Sequence, residues 1–214
     1  MSAADVLKVA AASRMVVLLL MLTAYTLVPS YDTSRTLLVG NSPLAAFASW
    51  DGVYFLSISL EGYKFEQMHA FFPLLPCLMQ ALAHTALYPL HFVMDSVQVL
   101  MLAGVLITNV SFVLSCFFLW KLTLAVFADK SFATRTALLF CISPASVFFS
   151  AVYSESVYAC LSLAGLWAIL ASPLFSPWYW AGACSIAASG FARSNSFLLG
   201  LCVAVLWLFC PGQR

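Results

Sequence analysis

Residues 97–120, VQVLMLAGVLITNVSFVLSCFFLW, contain no aspartate, glutamate, lysine or arginine. A helix through a bilayer takes about 20 apolar residues, so this stretch is long enough to cross one. Working outward, similar runs occupy 15–29, 71–94, 136–153, 156–171, 178–192 and 197–210. The whole chain of 214 residues is 64% hydrophobic and 8% charged. Soluble domains are about 45–50% apolar and about 25% charged, so this composition cannot clothe a surface facing water. The expected fold class is all-α and polytopic transmembrane, with room for about six or seven spans. It reads as one transmembrane domain over 1–214. The first span is 15–29, a lumenal loop with an interfacial helix follows over 30–70, and a multi-span bundle takes 71–214.

Charge excludes some functions. A formal net charge of +1 gives no basic stripe, so nucleic acid is not an expected partner. The seven cysteines show no C-x-x-C spacing and all lie in apolar stretches, which points to buried free thiols and away from a zinc site or a disulfide framework.

Charge placement also orients the chain. Lys8 and Arg14 precede the first apolar run, and the bias of basic residues toward the cytosol puts the N-terminus there. No A-x-A-like site precedes Pro29, so the opening reads as a retained signal anchor. The loop after it then lies in the lumen or outside the cell, and it holds Asp32, Asp51, Glu61 and Glu66, half of the eight acids. Lys121, Lys130 and Arg135 favour the cytosol for the connector over 121–135. Counting spans leaves both sides open. Two crossings between 71 and 120 return that connector to the lumen, whereas three, or one half-inserted helix, keep it cytosolic.

The polar residues inside this frame are few. Trp50 to Tyr63, WDGVYFLSISLEGY, is bulky and apolar with Asp51, Ser57, Ser59 and Glu61 interspersed, as in a helix lying in the interface. Asp51 then sits near the outer surface; its plain alternative is a capping or solvated loop aspartate. Glu155 falls between two apolar runs, as do Arg193 and Asn195. Such residues either face a cavity or a partner, or mark helix ends at the water boundary. Lys64 and His69 are placed to meet a phosphate from the lumenal segment. His84 and His91 are seven apart with no carboxylate beside them, so no metal site is expected. Gly182, Ala183, Ser185, Ala187, Ser189 and Gly190 form a small-residue run suited to close helix packing in lipid.

Several blocks carry a resemblance. Trp50-Asp51-Gly52, Glu61-Gly62-Tyr63 and Ala70-Phe71-Phe72-Pro73-Leu74-Leu75-Pro76 look like the first lumenal loop of the GPI mannosyltransferase II family, known as phosphatidylinositol-glycan class V. Ser143 to Ser156, SPASVFFSAVYSES, is similar to that family's S-P-A-x-x-F-x-x-A-x-Y-S-E, and Gly190 to Asn195 resembles its G-x-x-R-S-N.

The resemblance implies a glycosyltransferase C superfold, with this chain as its N-terminal half. It further implies a multi-pass enzyme of the endoplasmic reticulum. Such an enzyme moves mannose from dolichyl-phosphate mannose to a GPI-anchor precursor, making an α-1,6 link to the first mannose. Its partners are the lipid-linked donor, the glycolipid acceptor and the membrane, with room for a small membrane-protein subunit, and it needs no cofactor or metal.

A β-linked donor and an α-linked product mean inversion, for which one general base suffices. On the matched positions Asp51 is the expected base. Arg193 is the leading candidate for the cation that stabilises the leaving phosphate, with Lys64 and His69 the next candidates, while Glu155 binds the acceptor or orients Arg193. Trp50 and Asn195 complete the expected substrate-binding set. Ser49 and Ser196 depart from the pattern, since family members commonly have arginine and glycine there. Members also carry further spans, so the resemblance implies a fragment, a short isoform or a reduced member. The alternative function is an inactive scaffold or partner of a full-length enzyme. A transporter is disfavoured because the polar residues gather in one outer loop and not in broken helices at mid-bilayer.

Overall fold

The computed structural model describes residues 2–28, 36–40 and 42–209. Pro29, Asp32 and Cys210 lie outside them, and with them the end of the first apolar run. Among the described residues the chain is all-helical. Nine α-helices follow one another: α1 (Ala3–Leu27), α2 (Thr36–Val39), α3 (Asp51–Glu61), α4 (Leu74–Ala83), α5 (Ser96–Phe127), α6 (Lys130–Cys141), α7 (Glu155–Ala171), α8 (Pro177–Ser189) and α9 (Ser196–Phe209). Short 3₁₀ turns lie at Pro43–Phe47, Glu66–Ala70 and Tyr88–Phe92.

The helix boundaries follow from local chemistry. Ser2 and Asp5 cap α1 reciprocally, with the Asp5 N–H donating to Ser2 Oγ at 3.2 Å and the Ser2 N–H to Asp5 Oδ2 at 2.7 Å; each bond satisfies a donor that the first helical turn leaves open. Asp129 Oδ1 accepts from Ser131 and Phe132 N–H groups and so starts α6. Ala128, in the left-handed region at φ 53°, ends α5 one residue earlier. The expected connector over 121–135 therefore shrinks to Ala128 and Asp129, and its lysines and arginine lie on the two helices flanking a tight hairpin.

Two helices, α1 and α5, are long and apolar enough to cross a membrane. At 1.5 Å per residue α5 extends about 48 Å, beyond the roughly 30 Å of a hydrocarbon core. The other runs are shorter or broken. Residues 71–94 divide into α4, a helix of about 15 Å that cannot cross alone, and the turn at Tyr88–Phe92. The run over 136–153 stays helical only to Cys141, and Ser143–Tyr153 continue as turns. His84 and His91 do not share a helix. His84 ends α4, His91 lies in the 3₁₀ turn, and their rings stack at 5.7 Å.

α5 is the axis of the bundle, packing against α1, α4, α6 and α7, while α7 pairs with α8. Two apolar clusters form along it. Near its start, Met101 and Ala103 pack with Met21 of α1, Phe47, Leu56, Leu75, Met79 and Val152. Near its end, Cys116 and Trp120 pack with Val6 and Ala10 of α1 and with Ala133 and Ala137 of α6. So α1 runs antiparallel to α5, and the N-terminus and the α5–α6 hairpin share one end of the molecule.

α7 and α8 approach closely through Gly165 and Gly182. A Cβ on Gly165 would lie 2.8 Å from the Gly182 carbonyl oxygen, and one on Gly182 2.7 Å from that of Gly165. Ser185 Oγ donates across this contact to the Leu161 carbonyl at 2.8 Å. Small residues thus do here what they do between helices in lipid.

Met15, Leu19 and Leu20 of α1, Val110 of α5, Leu139 of α6 and Trp178 and Trp180 of α8 point outward and are exposed. An apolar surface of that extent belongs against lipid, so the chain is a membrane protein. All six described cysteines are free. Cys116 and Cys141 are buried, whereas Cys77, Cys184 and Cys202 lie on the outer surface, which corrects the expectation of thiols buried throughout. Arg14 is a second correction: it is no flanking charge but lies inside α1, 2% exposed.

Candidate active site

Three stretches of chain far apart in sequence meet at the end of the bundle where α1 finishes. Phe47 accepts, through its carbonyl oxygen, the Val152 N–H at 2.9 Å, and the Tyr153 hydroxyl donates to the Ser49 carbonyl at 3.0 Å. The Leu74 N–H donates to the Phe191 carbonyl at 2.9 Å. These bonds tie the approach to α3 to the approach to α7, and the start of α4 to the α8–α9 corner.

The loop blocks fold on Phe71. Its ring stacks on Tyr54 at 4.5 Å and meets Phe55 edge-on at 5.3 Å, and its carbonyl accepts the Tyr63 hydroxyl at 2.7 Å. Gly62 makes that return possible. It ends α3 at φ +77°, a conformation that strains any residue with a side chain. Tyr63 is exposed, and the partial desolvation of its phenol raises the pKa from its ordinary value.

Between these segments lies a cavity of about 120 Å³ whose wall includes Asp51, Phe71, Tyr153, Glu155, Arg193 and Ser194. Asp51 is the first residue of α3, where the helix dipole favours a carboxylate. Trp50, just before it, has φ 53° and ψ −120°, a sparsely populated conformation of the kind found at functional sites. Glu155 opens α7 and forms an ion pair with Arg193 through Oε1, while its Oε2 is buried without a partner. Arg193 sits in the α8–α9 turn, where its N–H donates to the Ser189 carbonyl at 3.1 Å.

That corner explains Ser196. Its hydroxyl donates to the Ile186 carbonyl and lies 2.7 Å from Ser189 Oγ, with both serines buried. A hydroxyl with these partners is fully accommodated.

The structure brings together Asp51, Glu155 and Arg193. It does not bring in the others. Trp50 is exposed beside Asp51. Lys64 pairs with Glu61 at 2.8 Å on the surface, at the far end of α3. His69 stacks on Tyr63 at 5.0 Å, and Asn195 is exposed outside the cavity wall. Tyr153 and Ser194 line the cavity and were not singled out by sequence. Their signal in the sequence is membership of the matched blocks, Tyr153 in Ser143 to Ser156 and Ser194 in Gly190 to Asn195; that the Tyr153 hydroxyl reaches residue 49 is visible only in the fold. Among the described residues no three His, Cys, Asp or Glu side chains cluster as metal ligands.

An exposed carboxylate and an ion-paired arginine that line one cavity can between them accept a proton and hold negative charge. The model of the mannosyltransferase (PIG-V) family matches residues 3–206, which takes in all three segments of this wall. The chain belongs to the PIG-V mannosyltransferase family. Curated relatives within it include the GPI mannosyltransferase 2 of Drosophila pseudoobscura pseudoobscura, 35% identical over 116 residues, or 54% of this chain and 25% of that protein. The GPI mannosyltransferase 2 of Cryptococcus neoformans is 30% identical over 179 residues, 83% of this chain and 41% of its own length. The GPI alpha-1,6-mannosyltransferase 2 of Rattus norvegicus is 34% identical over 123 residues, 58% of this chain and 25% of its own. The chain thus spans between a quarter and two fifths of these PIG-V relatives. No solved structure matches it.

Proposed function

We propose that this chain forms the catalytic N-terminal part of a mannosyltransferase acting on a GPI-anchor precursor, built on a glycosyltransferase C superfold. The observation that carries the proposal is the cavity shared by Asp51 and the Glu155–Arg193 pair, in a chain whose relatives are named GPI mannosyltransferases.

In the proposed reaction, the donor is dolichyl-phosphate mannose. A hydroxyl oxygen of the acceptor's first mannose attacks C1 of the donor sugar, and the C1–O bond to phosphate breaks with its electron pair going to the phosphate. The hydroxyl proton passes to Asp51, and the product is the inverted α-1,6 link. Dolichyl phosphate leaves with added negative charge, which Arg193 stabilises. Glu155 holds Arg193 in place through one oxygen. This assigns charge stabilisation to the protein and calls on no metal or cofactor. Trp50, exposed beside Asp51, meets the acceptor glycan; Lys64, His69 and Asn195 contact headgroups outside the cavity.

The reaction is placed at the lumenal face of the endoplasmic reticulum. Its support is geometric. A Cβ on Gly104 of α5 would lie 2.9 Å from Val152 Cγ1 beside the cavity, and Phe127 is 23 residues further along the same helix, about 35 Å away. The hairpin flanked by Lys121, Lys130 and Arg135, together with the N-terminus, then lies across the bilayer from the site, on the side that basic residues favour.

Expression of this chain in cells lacking the second GPI mannosyltransferase tests the proposal. Return of anchored proteins to the cell surface is the expected result. Failure at normal levels of inserted chain favours the scaffold reading over a catalytic one.

A further inference from the structure

Arg14 is a cation within an apolar helix, and among the described residues it forms no ion pair with a carboxylate. Nη1 donates to the Ser146 carbonyl at 3.1 Å and to Ser150 Oγ at 3.0 Å; Nη2 donates to the Cys141 carbonyl at 3.3 Å and to Ser146 Oγ at 3.2 Å. Nε donates to Ser13 Oγ at 3.3 Å, and the guanidinium lies 3.6 Å from the centroid of the Phe112 ring. A charge at such depth is costly, and where it persists it commonly has a task.

Its partners identify the task. Residues 142–153 link α6 to α7 without regular structure, and within them Ser146 and Ser150 to Tyr153 are buried. Irregular backbone away from water needs partners for its carbonyls. Thr108 Oγ1 and Asn109 Nδ2 of α5 donate to the Ser150 carbonyl, and Ser156 Oγ donates to that of Phe149. The Cys141 carbonyl is served by Arg14, and that of Ser146 by Arg14 together with the Phe149 N–H at 3.2 Å. Two residues after Ser150, Val152 bonds Phe47, then Tyr153 bonds Ser49, and Glu155 follows at the cavity. The strap fastened by Arg14 at one end delivers Glu155 at the other.

We propose that Arg14 is a positioning residue, whose guanidinium fixes the 142–153 strap so that Glu155 and its partner Arg193 face Asp51. A planar fork with five donors can serve two carbonyls and two hydroxyls at once; the ammonium of a lysine, with three donors at a point, cannot. The consequence for catalysis rests on the function proposed above, but the placement of the strap does not.

The test therefore reads placement directly. A Cβ on Gly52 lies 3.8 Å from that of Val152, a separation close to the mean for disulfides. In membranes carrying the full chain with Gly52→Cys and Val152→Cys, oxidation should join the two positions, scored by mass spectrometry of the linked peptides. Adding Arg14→Gln should lower the yield per inserted molecule about tenfold, and Arg14→Lys should restore it only in part. A merely structural role would lower the amount of inserted chain and leave that yield unchanged, and an unchanged yield overturns the proposal. If Arg14→Gln does not accumulate, Ser146→Ala with Ser150→Ala replaces it. That pair removes two of the four strap bonds and should lower the yield several-fold; full yield there overturns the proposal equally. Mannose transfer measured on the same membranes separates the two ideas, because a cross-link lost with Arg14 stands even where no version of the chain transfers mannose.

Discussion

Arg193 reaches back across 38 residues to Glu155, joining the α8–α9 turn to the first residue of α7. The pair and Asp51 line one cavity, and Arg193 is ion-paired with Glu155. A general base and a fixed cation at one cavity are what the proposed inverting transfer from a phosphate donor requires.

Asp51→Asn removes the proton acceptor while keeping the side chain's volume. Transfer should fall by roughly 10²–10⁴, the usual contribution of a general base, with membrane insertion unchanged. Radiolabelled mannose incorporation in membranes measures it, and wild-type turnover would move the base elsewhere, with Glu155 next in line.

Glu155→Gln and Arg193→Met each break the pair. Each should lower transfer by about 10²–10³, as loss of one charge-stabilising donor does. Because the residues act as a unit, the double variant should be little worse than the worse single one. Effects that multiply independently would show that the ion pair has no role in turnover.

Gly165→Ala and Gly182→Ala test the α7–α8 contact. Each added methyl meets backbone oxygen within 2.8 Å, which cannot swing aside as a flexible side chain can. Each should destabilise the chain by about 1–3 kcal/mol, visible as a lower melting temperature in detergent. An unshifted melt would mean the two helices separate freely.

Tyr153→Phe deletes the hydroxyl that donates to the Ser49 carbonyl at 3.0 Å. The loss should cost about 0.5–1.5 kcal/mol and reduce transfer more than it reduces stability, since the bond lies on the cavity wall. Equal losses in both would assign it to folding alone.

Tags placed after Phe127 and after Pro173 locate the hairpin and the α7–α8 turn. In sealed microsomes the first should be digested by added protease, on the side opposite Asp51. Protection of that tag would reverse the orientation proposed for the site.

Much of this was legible residue by residue. Charge-free runs over 15–29 and 97–120 announce helices against lipid because lipid tolerates little else. Asp51, Glu155 and Arg193 stand out for the same reason: acids and bases are scarce in such a chain. The broken run over 136–153 was not legible. Apolarity alone does not separate a helix from an irregular strap when the partners that satisfy the strap lie on other helices. Arg14 was misread from the same cause, since its position near the start of a run looks like a flank until its acceptors are known.

Composition by itself determined that the chain lives in a bilayer as helices, because no folding can hide so much apolar surface from water. Tertiary structure decided which polar groups share a place. Carboxylate, ion pair and strap come from segments tens of residues apart, and only hydrogen bonds between those segments set their separations.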